Sequence, residues 1–207
     1  MSKLKPIRYD LFPSLVYHTP FLNKSECERY VKCLEDVEKF DGGCSRSFYQ
    51  TIDKLHLLND TWRELSDRVI EMINHVADDQ CIIRDSFYNT NMWANISEEL
   101  GYYHSKHSHH NSFFSSIIYL RGDQSSPTQF DDPRSQTTVL KPSYSSSNLL
   151  NSGLFFLPFI EGSIAIFPSW LPHGVGGDNK SNIGRITISC NSMIHCEVSE
   201  KTSYLKI

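Results

Sequence analysis

The chain has 207 residues, of which 39% are hydrophobic and 21% charged, a composition typical of globular proteins rather than disordered or fibrous ones. Its formal net charge is −4 and its basic residues are scattered, so we expect no nucleic-acid partner. It has neither an apolar leader nor an apolar run of about 18 residues, so we expect a soluble, cytoplasmic protein without a membrane partner. This length suits one domain over residues 1–207, with a helical part at about 20–80 and a β-core at about 81–197.

Two amphipathic helices are predicted in the N-terminal part of the chain. The first has a start signal at Asn23 or Ser25, and its apolar positions recur every three or four residues from Cys27 to Val37. The second helix opens at Asn59 and carries an apolar face from Trp62 to Val76. These apolar faces are expected to be core.

Short strands dominate the rest of the chain. The segments with a strand-like pattern, separated by Gly, Pro, Ser and Asp clusters, are Leu11–His18, Cys81–Tyr88, Asn91–Ile96, Ser112–Leu120, Gly162–Phe167 and Arg185–Asn191. This pattern predicts a β-sandwich or jelly roll with the two helices covering one face. The polar, serine-rich segment from Asp123 to Ser152 is expected to be a long loop.

Four of the nine histidines lie close together, just before an apolar strand: His104, His107, His109 and His110. Residues i and i+2 of a strand point to the same face, so His107 and His109 are predicted to aim their imidazoles at one point. On the same geometry His110 points away and His104 lies on the opposite face. We therefore expect His104 and His110 to be solvated polar residues.

A third histidine and an arginine follow far along the chain. His173 ends a proline-bounded turn after a predicted strand, and imidazole groups bind Fe, Zn, Cu and Ni. Arg185 opens another strand, on which Thr187, Ser189 and Asn191 share its face. A guanidinium flanked by a hydroxyl makes a hydrogen-bonded seat for a carboxylate.

The order of these motifs resembles a known family. The motifs are W-x-N, G-x-x-H-x-x-H-x-H, S-x-x-Y-L, D-P-R, F-P-S-W-L-x-H-x-V and R-I-T-I-S-x-N, over roughly residues 85–195. They resemble the 2-oxoglutarate- and Fe(II)-dependent oxygenases, and more narrowly a small branch with H-x-H and F-P-S-W-L-x-H motifs. The resemblance implies a double-stranded β-helix, the cupin-like form of the jelly roll.

The resemblance also implies a metal site. It assigns Fe(II) to His107, His109 and His173. The wider superfamily has a carboxylate where this chain has His109. The site is therefore expected to contain three histidines, or to take an oxygen ligand from Asp131 or Asp132 in what is first of all a turn.

For the cosubstrate, the resemblance implies that Arg185 with Thr187 binds the distal carboxylate of 2-oxoglutarate, and that Asn95 makes a weaker contact. The reaction implied uses O2, decarboxylates 2-oxoglutarate to succinate and CO2, and hydroxylates a C–H bond of a substrate. Trp93 and Trp170 are expected to be core or rim aromatics without a chemical role.

Three functions remain open at this point. The first is a 2-oxoglutarate-dependent hydroxylase acting on a small molecule, amino acid or peptide. The second is a cupin-like metal-dependent dioxygenase or isomerase that does not use 2-oxoglutarate, for which three histidines would be natural. The third is a binding module whose histidines hold a structural metal or none. The sequence leaves a homodimer open.

Overall fold

The computed structural model describes residues 7–42, 48–97, 103–134, 139–140, 142–176, 184–198 and 205–206. Its helices are α1 (Lys24–Cys33), α2 (Leu55–Leu58) and α3 (Asp60–Asp79). Its strands are β1 (Tyr17–Pro20), β2 (Lys39–Asp41), β3 (Phe48–Thr51), β4 (Ser86–Ser97), β5 (His104–His107), β6 (Phe114–Arg121), β7 (Thr128–Asp131), β8 (Leu154–Leu157), β9 (Ser163–Pro168), β10 (His173–Val175), β11 (Arg185–His195), β12 (Glu197–Val198) and β13 (Leu205–Lys206).

Side-chain caps fix where the two long helices begin. Asn23 and Glu26 form a capping box at the start of α1, in which each side chain accepts a hydrogen bond from the other residue's backbone N–H, at 3.0 and 2.7 Å. At α3, the Asn59 side chain accepts from the backbone N–H of Trp62 at 3.2 Å. Both predicted helices are confirmed, and Asn23 is the start of the first. None of the helices in the described ranges has the length and apolar character needed to cross a bilayer.

Two antiparallel sheets form the body of the protein. The larger has seven strands in the order β1-β9-β6-β11-β4-β3-β2, and the smaller has four in the order β5-β10-β7-β8. This is the arrangement of a jelly roll, and it confirms the mainly β fold with flanking helices.

The core has two main parts. The larger cluster joins the buried faces of α1 and α3 to the seven-stranded sheet, and includes Trp62 and Ile188. The second cluster joins strands of both sheets through Tyr119, Phe130 and Phe167. The helices thus cover one face of the large sheet, and the small sheet packs against the other.

Several predicted strand boundaries were wrong. Residues from Leu11 to Val16 are irregular, because Pro13 cannot donate to a ladder and Phe12 has φ 57°, so the first strand is only β1. The two strands predicted from Cys81 to Ile96 are one strand, β4. Its polar middle is absorbed as a β-bulge at Thr90, whose hydroxyl donates to the carbonyl of Asn191 at 3.1 Å.

The predicted connections also contain strands. The segment between the helices includes β2 and β3, which extend the large sheet, and the segment expected to be a long loop includes β7. The polar composition of both segments hid these strands. β2 is an exposed edge strand, whereas β7 lies inside the small sheet and pairs with β8 and β10 from later in the chain.

Candidate active site

Three histidines converge between the two sheets. His107 ends β5, His109 follows it, and His173 begins β10. One ring nitrogen from each lies within 4.8 Å of the others, and His109 Nε2 is 3.2 Å from His173 Nε2. Among the described residues, this is the group of His, Cys, Asp and Glu side chains whose geometry could hold a metal ion.

Strand pairing brings two of these histidines together, and a loop brings the third. His173 is the direct antiparallel partner of His107. His109 lies beyond the end of β5, so the predicted strand geometry for His107 and His109 was wrong, although both rings do reach one point. The backbone N–H of His109 donates to the carbonyl of Ser169 at 3.0 Å, which fixes the loop beside the turn that leads into β10.

The outer ring nitrogens orient two of the imidazoles. His107 Nδ1 is 2.8 Å from the carbonyl of Ser105, and His173 Nδ1 is 3.0 Å from the carbonyl of Leu171. A carbonyl only accepts, so in both rings Nδ1 carries a proton, and a ring with that single proton offers its Nε2 lone pair. This is how metal-binding imidazoles are commonly held.

Burial favours the neutral form of His173 and His109. It lowers the pKa of His173 to about 3, against the opposing effect of the hydrogen bond to Leu171. It also lowers the pKa of His109 to about 4, and the neighbouring His107, His104 and His110 act in the same direction. Neutral imidazoles are the form that binds metals, so both rings are ready ligands well below neutral pH.

His104 belongs to the same cluster, contrary to the expectation that it is a solvated residue on the opposite face. Its ring centroid is 4.4 Å from that of His107 and 5.6 Å from that of Phe48. The cause is a bulge: His107 and His104 pair with His173 and Val175, so three steps on β5 match two on β10. Burial lowers the pKa of His104 to about 4, with His107 the next cause. His110 is exposed, as expected.

The two aspartates considered as oxygen ligands are engaged elsewhere. Asp131 Oδ1 lies 3.1 Å from Lys106 Nζ, and Asp132 Oδ2 lies 2.8 Å from Arg134 Nη2. Neither belongs to the converging group. The geometry therefore favours the three-histidine alternative.

Arg185 and Thr187 line the same cavity as the histidines. Arg185 is 5% exposed, and its Nη1 donates to Thr187 Oγ1 at 3.2 Å. Its Nε donates to the carbonyl of Ser126 at 3.4 Å, and the guanidinium lies 5.7 Å from the ring centroid of Phe159. A buried guanidinium beside a hydroxyl is a donor set suited to a carboxylate.

Asn95 lies on the neighbouring strand, directly paired with Thr187. Its amide donates to Ser189 Oγ at 2.9 Å, and its Oδ1 accepts from Gln50 Nε2 at 2.9 Å and from Trp93 Nε1 at 3.2 Å. These bonds fix the amide at the cavity wall.

The cavity encloses about 430 Å³ of empty space including its mouth. Neutral imidazole nitrogens line one part of its wall, and the Arg185–Thr187 pair lines another. The donor set therefore suits a divalent metal together with an anionic cosubstrate.

Residues 91–191 match a protein family described as "Putative 2OG-Fe(II) oxygenase". The match covers 101 of the 207 residues and, with the converging histidines, marks the chain as a 2OG-Fe(II) oxygenase. The oxygenase accordingly uses Fe(II) and 2-oxoglutarate, the cofactor pair of the first of the three functions left open by the sequence. No curated protein matches the sequence.

Solved structures of this fold resemble the oxygenase at low sequence identity. The α-ketoglutarate-dependent epimerase SnoN from nogalamycin biosynthesis has a TM-score of 0.64 and 13% identity, covering 88% of this chain and 79% of SnoN. HygX from Streptomyces hygroscopicus, with nickel and 2-oxoglutarate bound, has a TM-score of 0.61 and 11% identity, covering 93% of this chain and 92% of HygX. A Pseudomonas putida prolyl-4-hydroxylase has a TM-score of 0.57 and 10% identity, covering 87% of this chain and 92% of the hydroxylase. These likenesses establish the double-stranded β-helix fold.

Sequence reasoning missed some residues of the cavity wall. Trp93 was given no chemical role, yet it lines the cavity with its ring 5.8 Å from that of His109. The signal was available, because Trp93 and Asn95 are i and i+2 on one strand and so share a face. Asn191 was placed only on the face of Arg185, whereas its Nδ2 lies 3.4 Å from His109 Nδ1. Nothing in the sequence indicated that contact.

Proposed function

We propose that this oxygenase hydroxylates a C–H bond of a small-molecule, amino-acid or peptide substrate. In this proposal His107, His109 and His173 are the iron ligands. Arg185 and Thr187 bind the distal carboxylate of 2-oxoglutarate, and Asn95 makes a weaker cosubstrate contact.

One observation carries the proposal. The converging Nε2 atoms and the buried Arg185–Thr187 pair line a single cavity, so a dicarboxylate that reaches the metal with one end meets the guanidinium with the other. Three protein ligands also leave coordination positions for the cosubstrate and O2.

In this proposal the protein residues bind the metal and the cosubstrate and hold their own side chains in the required orientation. The carbonyls of Ser105 and Leu171 hold two imidazoles with Nε2 toward the site, so little reorganisation is needed when a metal arrives. Thr187 and the carbonyl of Ser126 hold Arg185 in the buried part of the cavity wall, where a charge-assisted hydrogen bond is stronger than in water.

Bound Fe(II) supplies the oxidising chemistry: with O2 and 2-oxoglutarate it yields succinate, CO2 and one oxygen atom for the substrate C–H bond. Hydroxylation thus consumes one O2 and one 2-oxoglutarate for each oxygen inserted. The similar structures include both a hydroxylase and an epimerase, so the fate of that oxygen atom is what distinguishes the reactions.

An anaerobic titration tests the cofactor sites. Fe(II) and then 2-oxoglutarate are added to the apoprotein, and the metal-to-ligand absorption band is followed. Arg185→Met is expected to weaken 2-oxoglutarate binding by roughly 10- to 100-fold, because a charged hydrogen-bonding partner is lost, while Fe(II) binding persists. Arg121→Met removes an exposed arginine nearby and should bind like the wild type.

Unchanged 2-oxoglutarate affinity in Arg185→Met would contradict the carboxylate assignment. Hydroxylation is tested separately with ¹⁸O2 and a panel of amino acids, peptides and small metabolites. One labelled oxygen in the product and one in succinate support hydroxylation, whereas a product without labelled oxygen points to another oxidative outcome.

A further inference from the structure

A row of hydrogen-bonded polar side chains begins beside His109 and passes Ser115, which lines the cavity. It begins at Asn191 on β11, whose Nδ2 lies 3.4 Å from His109 Nδ1. The Oδ1 of the same amide lies 3.0 Å from Ser115 Oγ on β6. Asn191 therefore bridges the imidazole and a buried serine.

Three serines continue the row to the backbone. Ser115 Oγ is 2.9 Å from Ser169 Oγ, which is 2.7 Å from Ser112 Oγ. Ser112 Oγ is then 3.0 Å from the carbonyl of Phe114 and 3.3 Å from that of Ser192. Ser115 and Ser169 are 2% and 0% exposed, so at these two serines water is no ready substitute for a missing partner.

The hydrogen bonds at Ser112 determine the direction in which the serine hydroxyls donate along the row. Each serine has one hydroxyl proton, and the carbonyls beside Ser112 only accept. If Ser112 donates to them, Ser169 donates to Ser112 and Ser115 donates to Ser169, and every neighbouring pair has a proton between its heavy atoms. With the opposite direction, the Ser112 oxygen faces both carbonyls with no proton between them, which costs free energy at this partly buried site.

This direction fixes the amide of Asn191 and, through it, His109. Since Ser115 has given its proton to Ser169, it must accept one from the Nδ2 of Asn191. A half-turn of an amide exchanges the positions of its oxygen and nitrogen, and the hydrogen-bond network determines which orientation holds. The orientation required here has Nδ2 beside Ser115 and Oδ1 beside His109, the reverse of the atom positions given above. Oδ1 then faces His109, so His109 Nδ1 carries the proton. The Nε2 lone pairs of His109 and His173, 3.2 Å apart with no proton between them, are left for a metal ion to satisfy.

We infer that Asn191, Ser115, Ser169 and Ser112 form a relay, the Asn–Ser relay, that holds His109 in the Nδ1–H tautomer, ready to bind the metal through Nε2. The inference rests on the proposed function in taking His109 as a ligand. His107 and His173 obtain the same tautomer directly from backbone carbonyls. His109 lies on a loop beyond the strand, and for it the side-chain relay performs that task. These four are positioning residues and none of them touches the reacting atoms.

Metal affinity without 2-oxoglutarate tests the relay. Co(II) is titrated into the apoprotein and binding is followed by calorimetry and by the visible spectrum. Asn191→Leu and Ser115→Ala are each expected to weaken Co(II) binding by about 10- to 100-fold. Asn191→Asp should bind at least as tightly as the wild type, because a carboxylate also accepts the proton of His109 Nδ1. A purely structural role for the amide does not predict that rescue.

Ser192→Ala is the matched control. Ser192 is a buried serine next to Asn191 on β11, and its hydroxyl donates to Asn89, outside the relay. Its Co(II) affinity should stay within about threefold of the wild type, well short of the 10- to 100-fold loss expected for the relay variants.

Three outcomes would overturn one of the two proposals. Wild-type affinity in Ser115→Ala, or an equal loss in Ser192→Ala, refutes the relay while leaving the metal site intact. Absence of Co(II) binding by the wild-type protein refutes the proposed function instead. Circular dichroism of each apoprotein checks folding, and if Asn191→Leu does not fold, Ser115→Ala decides.

Discussion

The chemistry of this oxygenase depends on histidines that are kept neutral by their surroundings. An imidazole in water is half protonated near pH 6.5, and a proton on Nε2 excludes a metal. Here burial favours the neutral form of His109 and His173, and backbone carbonyls choose the tautomer of His107 and His173. His104, stacked beside His107, experiences the same burial.

This neutrality should make the stability of the apoprotein depend on pH. The pKa of His173 falls from its ordinary 6.5 to about 3 in the folded state. Below pH 6.5 the unfolded chain therefore binds a proton at His173 that the folded chain does not. The free energy of unfolding is at its full value above pH 6.5 and falls as the pH drops toward 3. From pH 7 to pH 5 we expect His173 to contribute a loss of about 2 kcal/mol.

Urea unfolding of the metal-free protein at several pH values measures this loss. His173→Gln should reduce the difference between pH 7 and pH 5, whereas His75→Gln, at an exposed position on α3, should not. Equal pH dependence in the wild type and in His173→Gln would show that His173 titrates normally.

At the level of elements, the site depends on the close approach of β5 and β10. Gly174 follows His173 on β10, and a Cβ at this position would lie 2.5 Å from the backbone carbonyl oxygen of His104. The atom that would clash belongs to the backbone of β5, which cannot rotate away from a new Cβ as a long side chain could. The strand pair that aligns His107 with His173 therefore tolerates only glycine at this position.

Gly174→Ala is expected to separate β5 from β10 and so to misplace His107 relative to His173. We expect about a tenfold or greater loss of Co(II) affinity, with a loss of about 1–3 kcal/mol in the free energy of unfolding. Calorimetric titration and urea unfolding measure the two effects. Gly153→Ala is the control, because a Cβ there meets no atom within 4 Å. Wild-type Co(II) affinity in Gly174→Ala would mean that the two strands separate without moving the histidines.

At the level of the whole molecule, the site and the largest part of the core are separate. The helices and one face of the large sheet form the larger cluster, whereas the cavity opens between the two sheets. Variants in the cavity wall should therefore leave the helix layer folded, so that metal binding and global stability can be measured independently.

Ligands that bind only the folded state should stabilise this architecture. With Co(II) and 2-oxoglutarate each at about 100 times its dissociation constant, each should add about 2.7 kcal/mol to the free energy of unfolding. Thermal unfolding with and without EDTA measures the change. Arg185→Met should keep the stabilisation by Co(II), whereas a 10- to 100-fold weaker 2-oxoglutarate affinity should cut the stabilisation by 2-oxoglutarate to about 0.4–1.4 kcal/mol. An equal loss of both would contradict separate roles for the two ends of the cavity.

The sequence by itself determined the two helices, the β-rich core and the four residues His107, His109, His173 and Arg185 as candidates. Periodicity and capping are local properties, so the sequence placed the start of the second helix at Asn59 and narrowed that of the first to Asn23 or Ser25 without any tertiary information. The histidine motifs were informative because four of the nine histidines lie within residues 104–110 and two of them share the i, i+2 spacing of a strand.

Only the tertiary structure decided how those residues meet. The bulge that returns His104 to the face of His107 depends on pairing with β10, and the path of His109 depends on the carbonyl of Ser169. The strand β7 was hidden for the same reason, since its pairing partners come from distant parts of the chain. Asn191 and the serines of its relay come from three separate segments, and contacts between distant segments leave no periodic signal in a single sequence.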